Sequence, residues 1–249
     1  MEKSVTRYDT YSTRMMGFYL RVLIISAALM PLSCSSSERT RSTESSSSGS
    51  TVAAAANVEA KRARIVFLGD SLTAGYGLDI DDSVPSLVQK QLDAEGYNYE
   101  VVNAGVSGDT SAGGLARLDW ALDGDVRILI VALGGNDGLR GLPPEELQRN
   151  LAQIIERAQA RGIAVVLAGM EAPPNYGRDY IVSFHKVYPA LAAKYSVALV
   201  PFLLQGVAGN ETLNQRDGIH PTPAGARIVA DNVWAILKPI AEARRRPKT

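Results

Sequence analysis

Ser71 stands in "IVFLGDSLTAGYG", residues 65 to 77, where an apolar run empties into a glycine-rich turn. Such a turn can cradle a phosphate on backbone N–H groups, or it can present the serine as a nucleophile. The first use needs charge-neutralising partners. No lysine lies between positions 62 and 89, and neither the P-loop pattern nor a Gly-x-Gly-x-x-Gly fingerprint occurs in this turn.

A serine nucleophile needs a base, and the chain contains only two histidines. His185 falls in "SFHKVYPAL", inside an amphipathic pattern where a solvated or packed ring is the plain expectation. His220 falls in "QRDGIHPTPAG", a polar loop, with Asp217 three residues earlier and Gly218 and Pro221 constraining the turn. A carboxylate so placed can hold the Nδ1–H of the imidazole and leave Nε2 free to take a hydroxyl proton. Taken alone, the same four residues also fit a surface turn with the aspartate as a cap.

Attack by serine on an ester creates an oxyanion, which preorganised donors stabilise by several kcal/mol. Three candidates are the backbone N–H of Ser71, a backbone N–H near Gly108 in "GVSGDTSAGG", and the side-chain amide of Asn136 in "GGNDGLRG". An asparagine after Gly134 and Gly135 is equally at home as a turn residue.

The elements that position these groups follow from hydropathy. "RIVFLG" (64–69), "YEVVNAG" (99–105), "VRILIVALGG" (126–135), "IAVVLAG" (163–169) and "VALVPF" (197–202) read as buried strands without polar alternation. Between them, "DDSVPSLVQKQLDAEG", "SAGGLARLDWAL", "PPEELQRNLAQIIERAQARG" and "RDYIVSFHKVYPALAAKY" carry helical spacing, and a last helix follows Pro223. Strand and helix alternating four times imply an α/β fold with a parallel sheet covered on both faces. Ligands of such sheets bind beyond the carboxyl ends of the strands, where the three glycine-rich loops emerge.

In this order, "GDSLTAGYG", "NAGVSGDTSAGGLARL", "GGNDGLRG" and "DGIHPTPAG" resemble the four motif blocks of the GDSL, or SGNH, hydrolase family. More narrowly they are similar to its bacterial arylesterase, acyl-CoA thioesterase and lysophospholipase group. The resemblance implies a three-layer α/β/α sandwich of flavodoxin type with a five-stranded parallel sheet. It assigns Ser71 as nucleophile, Asp217 and His220 as the rest of a triad, and Ser71, Gly108 and Asn136 as oxyanion donors. Gly105 is an alternative glycine in the second block. Asp70 and Asp137 are expected to shape their loops. The implied substrates are small acyl esters, thioesters or lipids, with no metal and no cofactor. A carbohydrate O-deacetylase of the same fold and a non-catalytic binding domain are the alternatives.

Composition agrees with a chain that does not bind nucleic acid, since 26 basic and 26 acidic residues leave no net field. Residues 1–33 read as an export signal, with Lys3, Arg7, Arg14 and Arg21 ahead of the apolar "VLIISAALMPLSC". Cys34, the sole cysteine, opens a Ser/Ala-rich tether that runs to residue 62 and buries too little apolar surface to fold. A cysteine at the end of such a signal resembles the bacterial lipoprotein arrangement, with Cys34 lipidated and the protein held at the membrane in the periplasm. Plain secretion and an uncleaved anchor are the other two arrangements. The hydrolase domain is expected over 63–240, followed by a solvated basic tail over 241–249.

Overall fold

In the computed structural model, residues 62–245 are described. The expected signal, Cys34 and the tether through residue 61 lie outside them. Five strands form one parallel sheet: β1 (Ala63–Gly69), β2 (Tyr99–Gly105), β3 (Val126–Ala132), β4 (Ala164–Ala168) and β5 (Ala198–Val200). Their order is β2-β1-β3-β4-β5, so the chain leaves β1 toward one edge and returns to the other side through β3. The loops following β1 and β3 therefore diverge at the topological switch point and open a crevice between them.

Eight helices complete the domain among the described residues: α1 (Ser71–Ala74), α2 (Val84–Ala94), α3 (Ser111–Ala116), α4 (Leu118–Ala121), α5 (Gly135–Leu139), α6 (Pro144–Ala160), α7 (Arg178–Tyr195) and α8 (Pro223–Ala243). α2 packs on α8, while α6 packs on α3 and α7, giving the three-layer α/β/α sandwich. These residues belong to one unit, Asn57–Thr249. None of the described helices is long and apolar enough to cross a membrane.

The central strands are as apolar as their position demands. Ile65, Val66 and Leu68 of β1 and Ile128, Leu129, Ile130 and Val131 of β3 are all fully buried between helical layers. Phe67 is 1% exposed, and truncating such a ring costs about 3–5 kcal/mol. β2 is an edge strand, and Val101 and Val102 are only partly buried, so it is not the doubly covered strand its apolar composition implied.

β4 and β5 are shorter than the expected 163–169 and 197–202, and three further boundaries differ for reasons visible in the structure. β3 stops at Ala132 because Gly134 has φ 112°, a left-handed turn that starts α5. The single helix expected over "SAGGLARLDWAL" is broken into α3 and α4 at Arg117, whose side chain reaches away to neighbouring strand ends. α8 passes the boundary at 240, burying Ala241 completely; Arg244 then donates to the carbonyl of Gly162 and Arg245 to that of Gly96. The first residues assigned to the basic tail are thus part of the packed domain.

Candidate active site

β1 ends at Gly69, where a Cβ would lie 2.0 Å from Thr73 Oγ1 and 3.0 Å from the carbonyl of Ala132. Glycine lets the strand turn at once into α1. Asp70 caps that helix, its Oδ1 accepting from the Leu72 N–H at 3.0 Å. Ser71 is the first residue of α1, where a backbone N–H has no intrahelical acceptor.

His220 reaches Ser71 from 149 positions away, with Nε2 2.8 Å from Oγ. Its Nδ1 is 2.7 Å from Asp217 Oδ2, while Asp217 Oδ1 accepts from the backbone N–H of Ile219 at 2.9 Å and of His220 at 3.0 Å. One short turn, with Gly218 at φ 71°, thus aims the carboxylate and the ring together. The His220 backbone N–H, its ring and the Ile219 N–H hold the Asp217 carboxyl down to about 2. An ionised Asp217 places the imidazole proton on Nδ1 and leaves Nε2 to accept from the serine hydroxyl.

Tyr76 and Gln215, the second of which the sequence did not single out, steady this turn. Tyr76 packs at a tilt against the His220 ring with centroids 4.7 Å apart. Gln215 donates from Nε2 to the carbonyls of Tyr76 at 2.8 Å and Pro221 at 3.0 Å, tying the histidine loop to the serine loop.

Asn136 sits in the first turn of α5. Its Nδ2 donates to the carbonyl of Asp109 at 2.9 Å and to Asp70 Oδ2 at 3.3 Å. Gly134, just before, could carry no side chain, since a Cβ would meet Tyr188 Oη at 2.0 Å. Gly108 lines the same cavity with φ 86°, and its carbonyl accepts from Arg140 Nη2 at 2.9 Å. Gly105 instead ends β2, pressed against the backbone of Ala74.

Asp70 and Asp137 both act on loop shape. Asp137 is buried and accepts from the N–H of Ser111 at 2.8 Å and from its Oγ at 2.5 Å, fastening the loop after β3 to α3. Asp70 is also buried, which pushes its carboxyl up to about 6 against the lowering effect of the Leu72 N–H and of His220. His185 is exposed on α7, with Nδ1 2.7 Å from Glu171 Oε1, and does not line the cavity that Ser71 opens onto.

Ser71 and His220 open onto a cavity of about 500 Å³. The sequence offers Tyr76, Leu78, Leu139, Leu142, Pro173 and Tyr176 in the surrounding loops as apolar area for an acyl groove, and of these Tyr76, Leu139 and Pro173 line the cavity. Leu78 packs against the core instead, and Tyr176 donates its hydroxyl to the carbonyl of Leu139 at 2.7 Å. The sequence reading missed a whole wall, made by Phe202, Leu204 and Ala208 in the stretch after β5. Nothing in the order of residues placed that stretch in the same cavity as Ser71; only the sheet order does.

The fold, with a serine, a histidine and an aspartate joined by hydrogen bonds beyond the strand ends, is that of an α/β ester hydrolase. Residues 67–228 match the GDSL-like lipase/acylhydrolase family, and the chain belongs to that family of ester hydrolases. It is 50% identical over 177 residues to the esterase TesA of Pseudomonas aeruginosa, covering 71% of this chain and 88% of that protein. It is 38% identical over 177 residues to the thioesterase 1/protease 1/lysophospholipase L1 of Escherichia coli K12, covering 71% and 84%. Among solved structures, AlinE4, an SGNH-hydrolase family esterase, superposes with a TM-score of 0.61 at 45% identity, covering 75% of this chain and 98% of that one.

Proposed function

We propose that the chain cleaves carboxylic esters of the arylesterase, thioesterase or lysophospholipase type through an acyl-enzyme on Ser71. The observation that carries this reading is the continuous relay from Asp217 through His220 to Ser71, at 2.7 and 2.8 Å, opening on an apolar cavity. His220 Nε2 takes the Ser71 proton as Oγ attacks the acyl carbon. The carbonyl π electrons move to oxygen, and the oxyanion is met by the N–H groups of Ser71 and Gly108 and the amide of Asn136. Collapse breaks the bond to the leaving alkoxide, phenolate or thiolate, which takes the proton from the imidazolium. A water deprotonated by His220 then attacks the acyl-enzyme, and Ser71 regains its proton as the acid departs.

The test is hydrolysis of p-nitrophenyl esters of increasing chain length by the purified chain, alongside acetylated xylan. Ser71→Ala is expected to lose at least about a hundredfold in kcat, and a phosphonate to label the wild type at one residue, Ser71. Full activity in Ser71→Ala ends the reading; turnover confined to acetylated sugars moves it to an O-deacetylase.

Export rests on the signal-like residues 1–33, and membrane attachment on lipidation of Cys34. Labelled palmitate should enter the wild type and not Cys34→Ala, with processing blocked by globomycin. Label surviving in Cys34→Ala removes the idea.

A further inference from the structure

The break between α3 and α4 has a chemical use. Arg117 sits at that break and sends its guanidinium to three places at once: Nη2 to the carbonyl of Gly69 at 2.8 Å, Nη1 to the carbonyl of Ala104 at 2.7 Å, and Nε to Asp109 Oδ2 at 2.6 Å. Gly69 ends the strand that delivers Asp70 and Ser71, and Ala104 is near the end of β2, which feeds the Gly108 loop. Asp109 follows Gly108 and offers its own carbonyl to Asn136 Nδ2 at 2.9 Å. One side chain therefore holds the strand behind the nucleophile and the loop that carries Gly108 and accepts the Asn136 amide at the Asp109 carbonyl.

We infer that Arg117 is a positioning residue of the proposed reaction, fixing the Gly108 N–H and the Asn136 amide relative to Ser71 Oγ. The role suits arginine. Its planar fork presents N–H groups in fixed directions, so it can meet two carbonyls and a carboxylate together, which an ammonium on a flexible stem does poorly. The Arg117 and Asp109 side chains are 18% and 19% exposed, so the pair is shielded enough to keep its geometry. Arg117 touches neither Ser71 nor the cavity wall, and its effect must pass through the loop.

This inference rests on the serine-hydrolase reading, and the two fail differently. Active sites are first titrated with a p-nitrophenyl phosphonate, and kcat is expressed per titrated site. Arg117→Met is expected to lose about 10–100-fold in kcat, as a misplacement near one ångström does, with KM within about twofold. Arg117→Lys should fall between it and the wild type. Affinity for an alkyl trifluoromethyl ketone, which forms the oxyanion on Ser71, should fall with kcat while affinity for the product acid stays put. Millimolar guanidinium should restore part of the turnover of Arg117→Ala. Should Arg117→Met fail to fold, Asp109→Asn provides the same measurement from the other side of the pair, with a smaller loss in the same direction. Wild-type kcat per site in these variants, or equal weakening of ketone and acid, overturns the positioning role. Ser71→Ala retaining activity overturns the hydrolase reading itself.

Discussion

The amide of Asn136 donates to the carboxylate of Asp70 across 3.3 Å, so an oxyanion-hole candidate is hydrogen-bonded to the residue beside the nucleophile. With Asp109 taking the other N–H at 2.9 Å, both amide protons have acceptors before any ester arrives. The longer bond is the weaker and is the one that yields to a developing oxyanion. Asn136→Ala is expected to lower kcat by about 10²–10³-fold with little change in KM. Steady-state kinetics on a p-nitrophenyl ester checks it; a loss confined to KM refutes it.

Asp70 makes stability depend on pH in an unusual direction for a carboxylate. Burial raises its folded value from 3.8 to about 6, so between those limits the folded chain holds a proton that the unfolded chain has released. Stability from this group is therefore lost as pH rises toward 6, and fully lost above it. Asp70→Asn removes the titration. Its stability relative to wild type should grow by roughly 2–3 kcal/mol between pH 4 and pH 7.5, read by urea unfolding at each pH. A difference that does not change with pH contradicts the burial argument.

Asp217 behaves the opposite way. Its carboxyl is held at about 2 by the backbone N–H of His220, the His220 ring and the Ile219 N–H. The stability it adds is present above the ordinary carboxylate range and fades only as pH falls toward 2. Carboxyl-detected NMR should therefore place its titration well below that of a free aspartate, and a midpoint near 4 would contradict the turn geometry. Asp217→Asn should reduce kcat by about 10³–10⁴-fold by losing the tautomer that leaves Nε2 free.

Phe202, Leu204 and Ala208 line the cavity onto which Ser71 opens, and we expect them to bound the acyl chain. Ala208→Phe fills space without touching the relay. We expect kcat/KM for a p-nitrophenyl laurate to fall about tenfold or more, and that for the butyrate to stay within about threefold. Equal losses on both esters would show that this wall does not bound the acyl chain.

Much of this protein is written locally. Runs such as "RIVFLG" and "VRILIVA" become buried strands because continuous apolar stretches suit a sheet covered on both faces, and the Asp217-to-His220 turn closes within four residues. The residue types of the site, a serine after Gly-Asp, an asparagine after Gly-Gly and an Asp-x-x-His, were legible for the same reason. Distance along the chain hid the rest. Sheet order brings Ser71 and His220 together across 149 positions, makes the stretch after β5 a wall of the cavity, and lets Arg117 reach Gly69 across 48. Periodicity repeats over a few residues and carries no record of which loops will meet. That is decided when the strands pair, because only then are the side chains close enough to share protons and charge.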